Sequence, residues 1–496
     1  MNELPPGWRL SKIEDLVEVG PKNDCADATA VGFIPMSHMG TRFRDAPTFE
    51  VRTWLEVKKG YTHFANGDVL VARITPCFEN GKAGIPRSLP NGVGAGSTEY
   101  VVLRPKAGIV APEFLLAVLK TERFLRDGAR SMTGAVGQQR VPKSTIASYP
   151  VFTPPFDEQK RIATKIDALL GRVDSCRDRL ERVPQILKQF REAVLEAAVS
   201  GRLTEAWRAS TCVNVTGLQL TRDIRTRHEN SKKRRSAIAK YDEVDKIREV
   251  PPSWGWIPGA AIVDPGADIV YGIVQPGPKL SEGVPYVRGM DIEDGKILTE
   301  QLLKTSEAIA KRYERASLTG GDVLLGIIRA TKVAVVPNEL AGANITQGTA
   351  RFRPSSAIRT SYLARVLEAP ATQKWLHDCY RGIDMPGLNL ADVRRVPVPL
   401  PSLEEQDEIT RRVDALFALG SNLEHLYETA AARVERLTPS ILDKAFRGEL
   451  VPQDPNDEPA SLLLGRIDSE RDKPSSARKE SRAASKQMPT AQRGRS

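Results

Sequence analysis

The chain has 496 residues, with 72 Lys and Arg against 62 Asp and Glu, a formal net charge of +10 and 41% hydrophobic residues. That length leaves room for two or three domains, and no apolar run approaches the ~18 residues that a membrane-spanning helix needs. The five cysteines (Cys25, Cys77, Cys176, Cys212 and Cys379) are scattered without a CxxC pair. Neither a zinc site nor a disulfide framework is indicated, and a reducing compartment fits. The N-terminus, MNELPPGW, lacks a basic-then-apolar leader, so the expectation is a soluble cytoplasmic protein.

Residues 1–149 open on the turn Pro5-Pro6-Gly7-Trp8. Short apolar stretches follow: GFIPMSHMG from Gly32, Gly67-Asp68-Val69-Leu70, a strand ending at Pro86 after a loop containing Lys82, and Tyr100-Val101-Val102-Leu103-Arg104-Pro105. Helical patterning returns near 112–128. Short strands followed by helix predict a mixed α/β unit of about 150 residues, a normal domain size.

Residues 150–203 predict one long helix. Apolar residues fall at Ile162, Ile166, Leu169, Val173, Cys176, Leu180, Val183, Leu187, Phe190 and Val194, in steps of 4 and 3 that average 3.5. That is a heptad seam. Asp157 and Glu158 mark its start at the positive end of the helix dipole, and Gly201 marks its end. Pro184 interrupts it and predicts a kink or restart.

Residues 204–250 read as a basic linker: between 221 and 248 stand 10 basic and 5 acidic side chains, among them the run Lys232 to Arg235. Residues 251–396 loosely repeat the first unit: Pro251-Pro252-Ser253-Trp254, then PYVRGMDIEDGKI from Pro285, Gly321-Asp322-Val323-Leu324, a loop with Lys332 before Pro337, and Ala350-Arg351-Phe352-Arg353-Pro354. Helical pattern follows at 361–380. The loops differ in length and residues while the frame is shared, as in two units doing one job on different ligands, because function sits in loops held by a rigid scaffold. Neutral drift of surface loops is the other reading.

Residues 397–450 repeat 150–203 without a gap, so that Gln159 and Gln406 stand 247 positions apart. The seam continues through Ile409, Val413, Leu416, Leu423, Tyr427, Val434, Leu437 and Ile441, with Gly420 and Ala430 as weak points and Pro439 as a second expected kink. Residues 451–496 form a tail expected to be largely disordered and basic. A helix of some 45 residues spans on the order of 70 Å and needs a partner. A chain running unit–helix–unit–helix pairs its helices only antiparallel. Residues 150–220 carry 11 basic against 9 acidic side chains and 397–465 carry 6 against 13, which steers that pairing. The alternatives are helices packed each on its own domain, or paired between chains.

A search for catalytic machinery finds no Walker loop, no Gly-x-Ser-x-Gly elbow and no HExxH. His38, His63, His228, His377 and His425 are isolated, and motifs for S-adenosylmethionine and amino methylation are missing. No enzyme is expected.

The repeated Pro-rich entry into Glu-Gln, the long helix, and the exits Ala198-Val199-Ser200-Gly201-Arg202-Leu203 and Ala445-Phe446-Arg447-Gly448-Glu449-Leu450 resemble the specificity subunit of type I restriction–modification systems. PYVRGMDIEDGKI and the GDVLL strand are similar to that family's target recognition domains, and VPQDPNDEPASLLL resembles its C-terminus. The resemblance implies an α/β fold: two mixed α/β target recognition domains separated by two long helices forming an antiparallel coiled coil, a pseudo-two-fold internal duplication. It implies a non-catalytic reader of double-stranded DNA in which each domain reads one half of a bipartite, asymmetric target and the helices space the domains and dock two modification subunits. S-adenosylmethionine, and ATP with Mg on restriction subunits, are then expected on the partners and none on this chain. Two modules about one helical turn apart, ~34–36 Å, suit that task.

Candidate DNA-binding residues are long polar side chains in the divergent loops: Arg42, Arg44, Lys58, Lys59, Arg73, Lys82, Gln138, Gln139 and Arg140, then Arg288, Arg329, Lys332, Arg351, Arg381 and Asn389. Arg and Lys suit guanine edges, and Asn and Gln suit adenine. A solvated or phosphate-only role is the bland alternative for each. At the level of the whole chain the alternatives are a coiled-coil scaffold with two protein-binding domains and a stand-alone methyltransferase.

Overall fold

The computed structural model describes residues 5–135, 137–229 and 244–471. The Lys232–Arg235 run and the tail beyond residue 471 lie outside the described residues. The chain divides into two units, Met1–Glu181 with Glu428–Ser496, and Arg182–Tyr427.

Unit 1 contains β1 (Arg9–Lys12), β2 (Val17–Val19), β3 (Ala30–Ile34), β4 (Glu50–Thr53), β5 (Thr62–Ala65), β6 (Val69–Ala72), β7 (Ala83–Gly84), β8 (Val93–Gly96), β9 (Tyr100–Pro105) and β10 (Pro150–Thr153). They form sheets in the orders β2-β9-β6-β7 and β4-β3-β8-β5, with β1 on β10 as a separate antiparallel ribbon. Unit 2 contains β11 (Gly255–Pro258), β12 (Val270–Tyr271), β13 (Val284–Val287), β14 (Ile292–Glu293), β15 (Lys296–Ile297), β16 (Leu303–Thr305), β17 (Val323–Gly326), β18 (Val333–Val335), β19 (Asn344–Ile345), β20 (Thr349–Phe352) and β21 (Pro397–Leu400). Their orders are β12-β20-β17-β18 and β16-β13-β19, with ribbons β11–β21 and β14–β15. The orders match except that, among the described residues, unit 2 has no counterpart of β5 and adds the β14–β15 ribbon. Both second sheets contain one parallel pair, β3 with β8 and β13 with β19. The loose sequence repeat is thus a repeated mixed α/β topology.

The same buried polar contacts explain why particular residues recur. Trp8 Nε1 donates to both carboxylate oxygens of Glu158 at 3.1 Å, and Trp254 Nε1 donates to Glu405 Oε2 at 2.8 Å. Both glutamates are buried, and burial pushes the Glu158 carboxyl up, against Trp8 and Arg161. The neighbouring glutamines act as staples. Gln159 accepts from Ala111 N at 2.9 Å and donates to Ile109 O and Pro154 O. Gln406 accepts from Arg359 N at 2.7 Å and donates to Ala357 O and Pro401 O. Each Glu-Gln pair therefore ties the start of a long helix to its own globular part, satisfying groups that would be costly to bury alone. The exit glycines, Gly201 and Gly448, both have φ of +75°. A Cβ there would meet Pro251 at 2.5 Å and Pro5 at 2.6 Å, which links the Gly exit to the Pro-Pro-x-Trp entry.

A second duplicated contact sits in the strands. Arg104 grips Asp68 through two bonds of 2.8 and 2.9 Å, and Arg353 grips Asp322 with the same two distances. Asp68 also accepts from Ala65 N and Asp322 from Thr319 N, so each carboxylate is fully used beneath the sheet.

The long helical segments show three features, of which the unbroken run through Pro439 and the partly open seam depart from expectation. First, the helix Phe156–Leu180 stops and a second, Val183–Val199, begins with Pro184 in its first turn, where the missing N–H costs nothing. Leu403–Phe446 runs unbroken with Pro439 inside it. Second, the seam is only partly closed. Ile162, Ile166, Val173, Leu187, Ile409 and Val413 are buried; Leu169, Leu180, Phe190, Leu416, Val434 and Ile441 are half-buried; Leu423 and Leu437 remain 44% and 43% exposed. Near the helix ends the apolar face turns into the domain cores: Ile162, Ile166 and Leu170 share a cluster with Phe114, Leu442 and Ala445, and Ile409 and Val413 share one with Val194, Ala198 and Tyr362. Packing on the globular part, rather than a strict 3.5 repeat, selects the buried positions there, which is why Leu170 is buried more completely than Leu169. Third, within each unit the segments run antiparallel. In unit 1 Arg161 meets Asp457 and Arg177 meets Glu435 at 3.0 Å. In unit 2 Arg191 meets Glu424 at 3.0 Å, and Arg412 donates to Leu203 O at 2.8 Å. The more exposed of these pairs, Arg177–Glu435 and Arg191–Glu424, fix register more than they stabilise.

The linker and tail contain further structure. Helix Gly217–Glu229 covers the β11–β21 ribbon, with Ile224 and Thr221 buried and Leu218 N donating to Ser253 O at 2.9 Å. Helix Ala460–Arg471 in unit 1 starts from the equivalent bond, Ala460 N to Gly7 O at 2.9 Å, with Ala460 and Leu463 buried. Among the described residues no helix is long and apolar enough to cross a membrane.

Unit 1 also holds a half-buried lysine. Lys120 Nζ donates to Thr41 O at 2.9 Å and Gly81 O at 2.7 Å, bridging two loops. Burial pushes its pKa down to about 7, with Asp45 opposing. The unfolded chain holds this proton up to its ordinary range near 10.5, so above about pH 7 the unfolded state binds more protons and folding gains stability as pH rises. Between pH 7 and 9 the unfolding free energy should rise by up to about 2 kcal/mol relative to Lys120→Met. Denaturant titrations of the two proteins at both pH values check this, and parallel curves would contradict it.

Candidate nucleic-acid interface

The candidate residues fall into two groups, those tied down inside the fold and those gathered at loop ends. Arg42 pairs with Asp178 at 3.6 Å and Glu181 at 3.4 Å, and Arg44 with Asp167 at 2.9 Å, so both lean on the helix Phe156–Leu180. Lys58 pairs with Asp27 at 2.6 Å, while Lys59 is exposed. Lys82 Nζ donates to Met36 O at 2.8 Å. Arg288 is held by Asp291 through Nε at 2.9 Å and Nη2 at 2.6 Å. Arg351 departs furthest from expectation. It is 2% exposed and gives its guanidinium to Ser317 O and Asp268 O, and burial pushes its pKa down. Its place in β20, in the sheet interior, removes it from the surface where a base edge could reach it.

The second group shares one topological place in the two units. In unit 1 the chain leaving β6 is bonded to the loop after the helix Glu122–Arg130: Thr75 N donates to Gln139 O at 3.0 Å, Gln139 N to Thr75 Oγ1 at 3.1 Å, and Val141 N to Arg73 O at 2.8 Å. This gathers Arg73, Gln138, Gln139 and Arg140. Glu99 orients Arg140 by bonds of 3.0, 3.0 and 2.8 Å, which raise its pKa further. The Arg73 Nε is enclosed and, among the described residues, has no hydrogen-bond partner.

In unit 2 the chain leaving β17 meets the loop after the helix Pro370–Asp378. Arg329 N donates to Pro386 O at 2.8 Å and Leu388 N to Ile327 O at 2.8 Å. Arg381, 3.4 Å from Asp392, stands at the base of that loop. Asn389 caps the helix Leu390–Arg395 by accepting from Asp392 N at 2.8 Å. Arg329 holds a left-handed φ of +67°, uncommon for a non-glycine residue, and both Arg329 and Lys332 are exposed. The structure thus brings together Arg73, Gln138, Gln139 and Arg140 in one unit, and Arg329 and Arg381 with Asn389 nearby in the other.

Sequence reasoning missed Glu99, which positions Arg140, and the exposed Ile383 and Met385 at the tip of the second loop. It named Asp68 and Asp322 in the repeated frame but not their pairing with Arg104 and Arg353, which stand 36 and 31 residues further on. A cleft of about 730 Å³ in unit 1, lined by Leu10, Val118, Arg126, Phe152, Pro439 and Phe446 among others, includes none of the candidate base readers. Among the described residues no group of three or more His, Cys, Asp or Glu is placed to hold a metal ion.

Comparison with known proteins agrees with this arrangement. The family described as the type I restriction modification DNA specificity domain matches residues 5–185 and 278–430. The chain is 36% identical over 349 residues to the type I restriction enzyme EcoBI specificity subunit of Escherichia coli, with 68% of each chain covered. It is 27% identical over 501 residues to the EcoAI specificity subunit of the same organism, covering 90% of this chain and 83% of that one. In fold it is similar, at 20% identity, to a chain from a type I R-M system (TM-score 0.65, 90% and 100% covered). It is similar also to the HsdS subunit from Thermoanaerobacter tengcongensis (TM-score 0.56, 90% and 98% covered). With two matched regions on a duplicated mixed α/β frame, the chain belongs to the type I restriction–modification DNA specificity family.

Proposed function

We propose that this chain selects the DNA sequence for a type I restriction–modification complex, residues 1–149 and 251–396 each reading one half of a bipartite, asymmetric site. The observation that carries the reading is the repetition of place without repetition of residues. The loop leaving β6 and the loop leaving β17 are bridged to equivalent partners, Ile74 to Arg140 and Ile328 to Gly387. Yet one end presents Gln138, Gln139 and Arg140, and the other Arg329 and Arg381. One frame with different donors and acceptors suits two different base sequences.

The helical segments within 150–203 and 397–450 space the two readers and dock two modification subunits. Exposed apolar side chains support a partner there: Ile186, Leu419, Leu423 and Leu426 in unit 2 lie on helix surfaces that water would otherwise cover. The partners supply S-adenosylmethionine chemistry on adenine, and restriction subunits supply ATP- and Mg-dependent translocation and cleavage. Residues 204–250 link the two halves and 451–496 form a basic tail that adds non-specific phosphate affinity. A reader of the chromosome works in the cytoplasm.

The chain, assembled with modification subunits and run on a random duplex pool, should enrich a split motif with a fixed spacer. A pool left without enrichment would favour a scaffold with two protein-binding domains instead.

A further inference from the structure

Ile383 is 98% exposed and Met385 59% exposed, at the tip of a loop whose base is unusually well tied. Arg381 N donates to Gly387 O at 3.0 Å, Gly387 N returns to Arg381 O at 3.0 Å, and Leu388 N and Arg329 N add 2.8 Å bonds to Ile327 O and Pro386 O. Arg329 Nη2 rests 3.8 Å from the Met385 sulfur. None of these bonds uses the Ile383 side chain, so packing gives no reason for a large β-branched residue at a position where a polar residue would be better solvated. The surroundings say what would cover it. Arg329 and Arg381 are exposed at the base of the loop, Arg381 also 3.4 Å from Asp392, and the tip carries one acid, Asp384. Cations around an apolar point suit a phosphate backbone on either side of a base stack, and they disfavour an apolar protein face.

We propose that the loop Arg381–Gly387 is a wedge that inserts the Ile383 side chain, backed by Met385, into the base stack of the DNA half-site bound by unit 2. The proposal rests on the DNA-reading function above. Branching at Cβ restricts the χ1 of an isoleucine, so a rigidly based loop would present it as a stiff blade. Apolar wedges of this kind partly unstack a base step and kink the duplex. An enzyme that modifies a base must take it out of the stack. Here the chemistry belongs to a separate subunit, so a wedge on the reader would keep the stack open while the base is swung to the partner.

The test uses the chain assembled with its modification subunits, on its selected target duplex and on the same duplex with a mismatch at the base to be modified. Ile383→Ser should weaken binding to the intact duplex by roughly 10–100-fold, the cost of unstacking one step without help. It should bind the mismatched duplex within about 3-fold of the unaltered complex, because that step is already loosened. Ile383→Leu should behave as the original on both, and a 2-aminopurine at the modified position should brighten with the original and stay dark with Ile383→Ser. Equal losses on both duplexes would make Ile383 an ordinary contact and overturn the wedge, as would no loss on either. Should the unaltered complex show no sequence preference at all, the recognition reading falls first and the wedge with it.

Discussion

Exchanging residues 251–396 for the same segment of a relative should move one half of the recognised DNA site and leave the other half in place. Each unit has its own core: Val69, Leu103, Phe114 and Phe124 in unit 1, and Val323, Phe352, Tyr362 and Leu376 in unit 2. Each also carries its own tie to a long helix, Trp8 with Glu158 and Trp254 with Glu405. A segment that brings Trp254 and the loops, and finds Glu405 and Gln406 waiting in the recipient, keeps the contacts that seat it. The loops that come with it replace Arg329, Arg381 and Asn389. Each mismatched base pair costs about 1–3 kcal/mol in a specific complex, so three or four altered positions shift preference by several orders of magnitude. Selection from a random pool reads both halves at once. A change in both halves would contradict separate readers.

Asp322→Ala should cost about 3 kcal/mol of stability. The carboxylate is 1% exposed and accepts from Thr319 N at 2.9 Å and twice from Arg353. Removing it strands the Arg353 guanidinium, left with Ser317 O at 3.1 Å as its remaining partner, and frees a backbone N–H. Breaking a buried pair from one side costs about 3–5 kcal/mol. The lower end applies because the Arg353 side chain is 30% exposed and reaches some water. Arg353→Met in the same chain should return much of the loss, since no charge is then left uncompensated. Denaturant midpoints for the single and double variants check both statements. A loss under about 1 kcal/mol, or no recovery, would contradict the account.

The duplicated entry and exit were legible because their residues make the same buried contacts twice. Glu158 and Glu405, Gln159 and Gln406, Gly201 and Gly448 recur since each answers one fixed partner. The repeated strand frame was legible for the same reason, as its strand orders bear out. The helix seam was legible only as a pattern. Its ends are buried by the globular parts and its middle is left open at Leu423 and Leu437, which a period of 3.5 does not distinguish. Side-chain roles were the least legible. Arg351 in β20 and Arg353 just past its end stand two apart among similar neighbours, and only the three-dimensional fold separates a carbonyl-bound interior arginine from an ion-paired one. Ile383 carried no signal at all, because exposure at a loop tip is set by bonds between Arg381 and Gly387 that no local pattern announces.

The most direct test of the central claim is a genome-wide map of methylated adenines in cells carrying the complex, with this chain present, deleted, or bearing the exchanged 251–396 segment. The account predicts a split, asymmetric motif that disappears on deletion and keeps one half on exchange. A methylation pattern indifferent to the chain would contradict it.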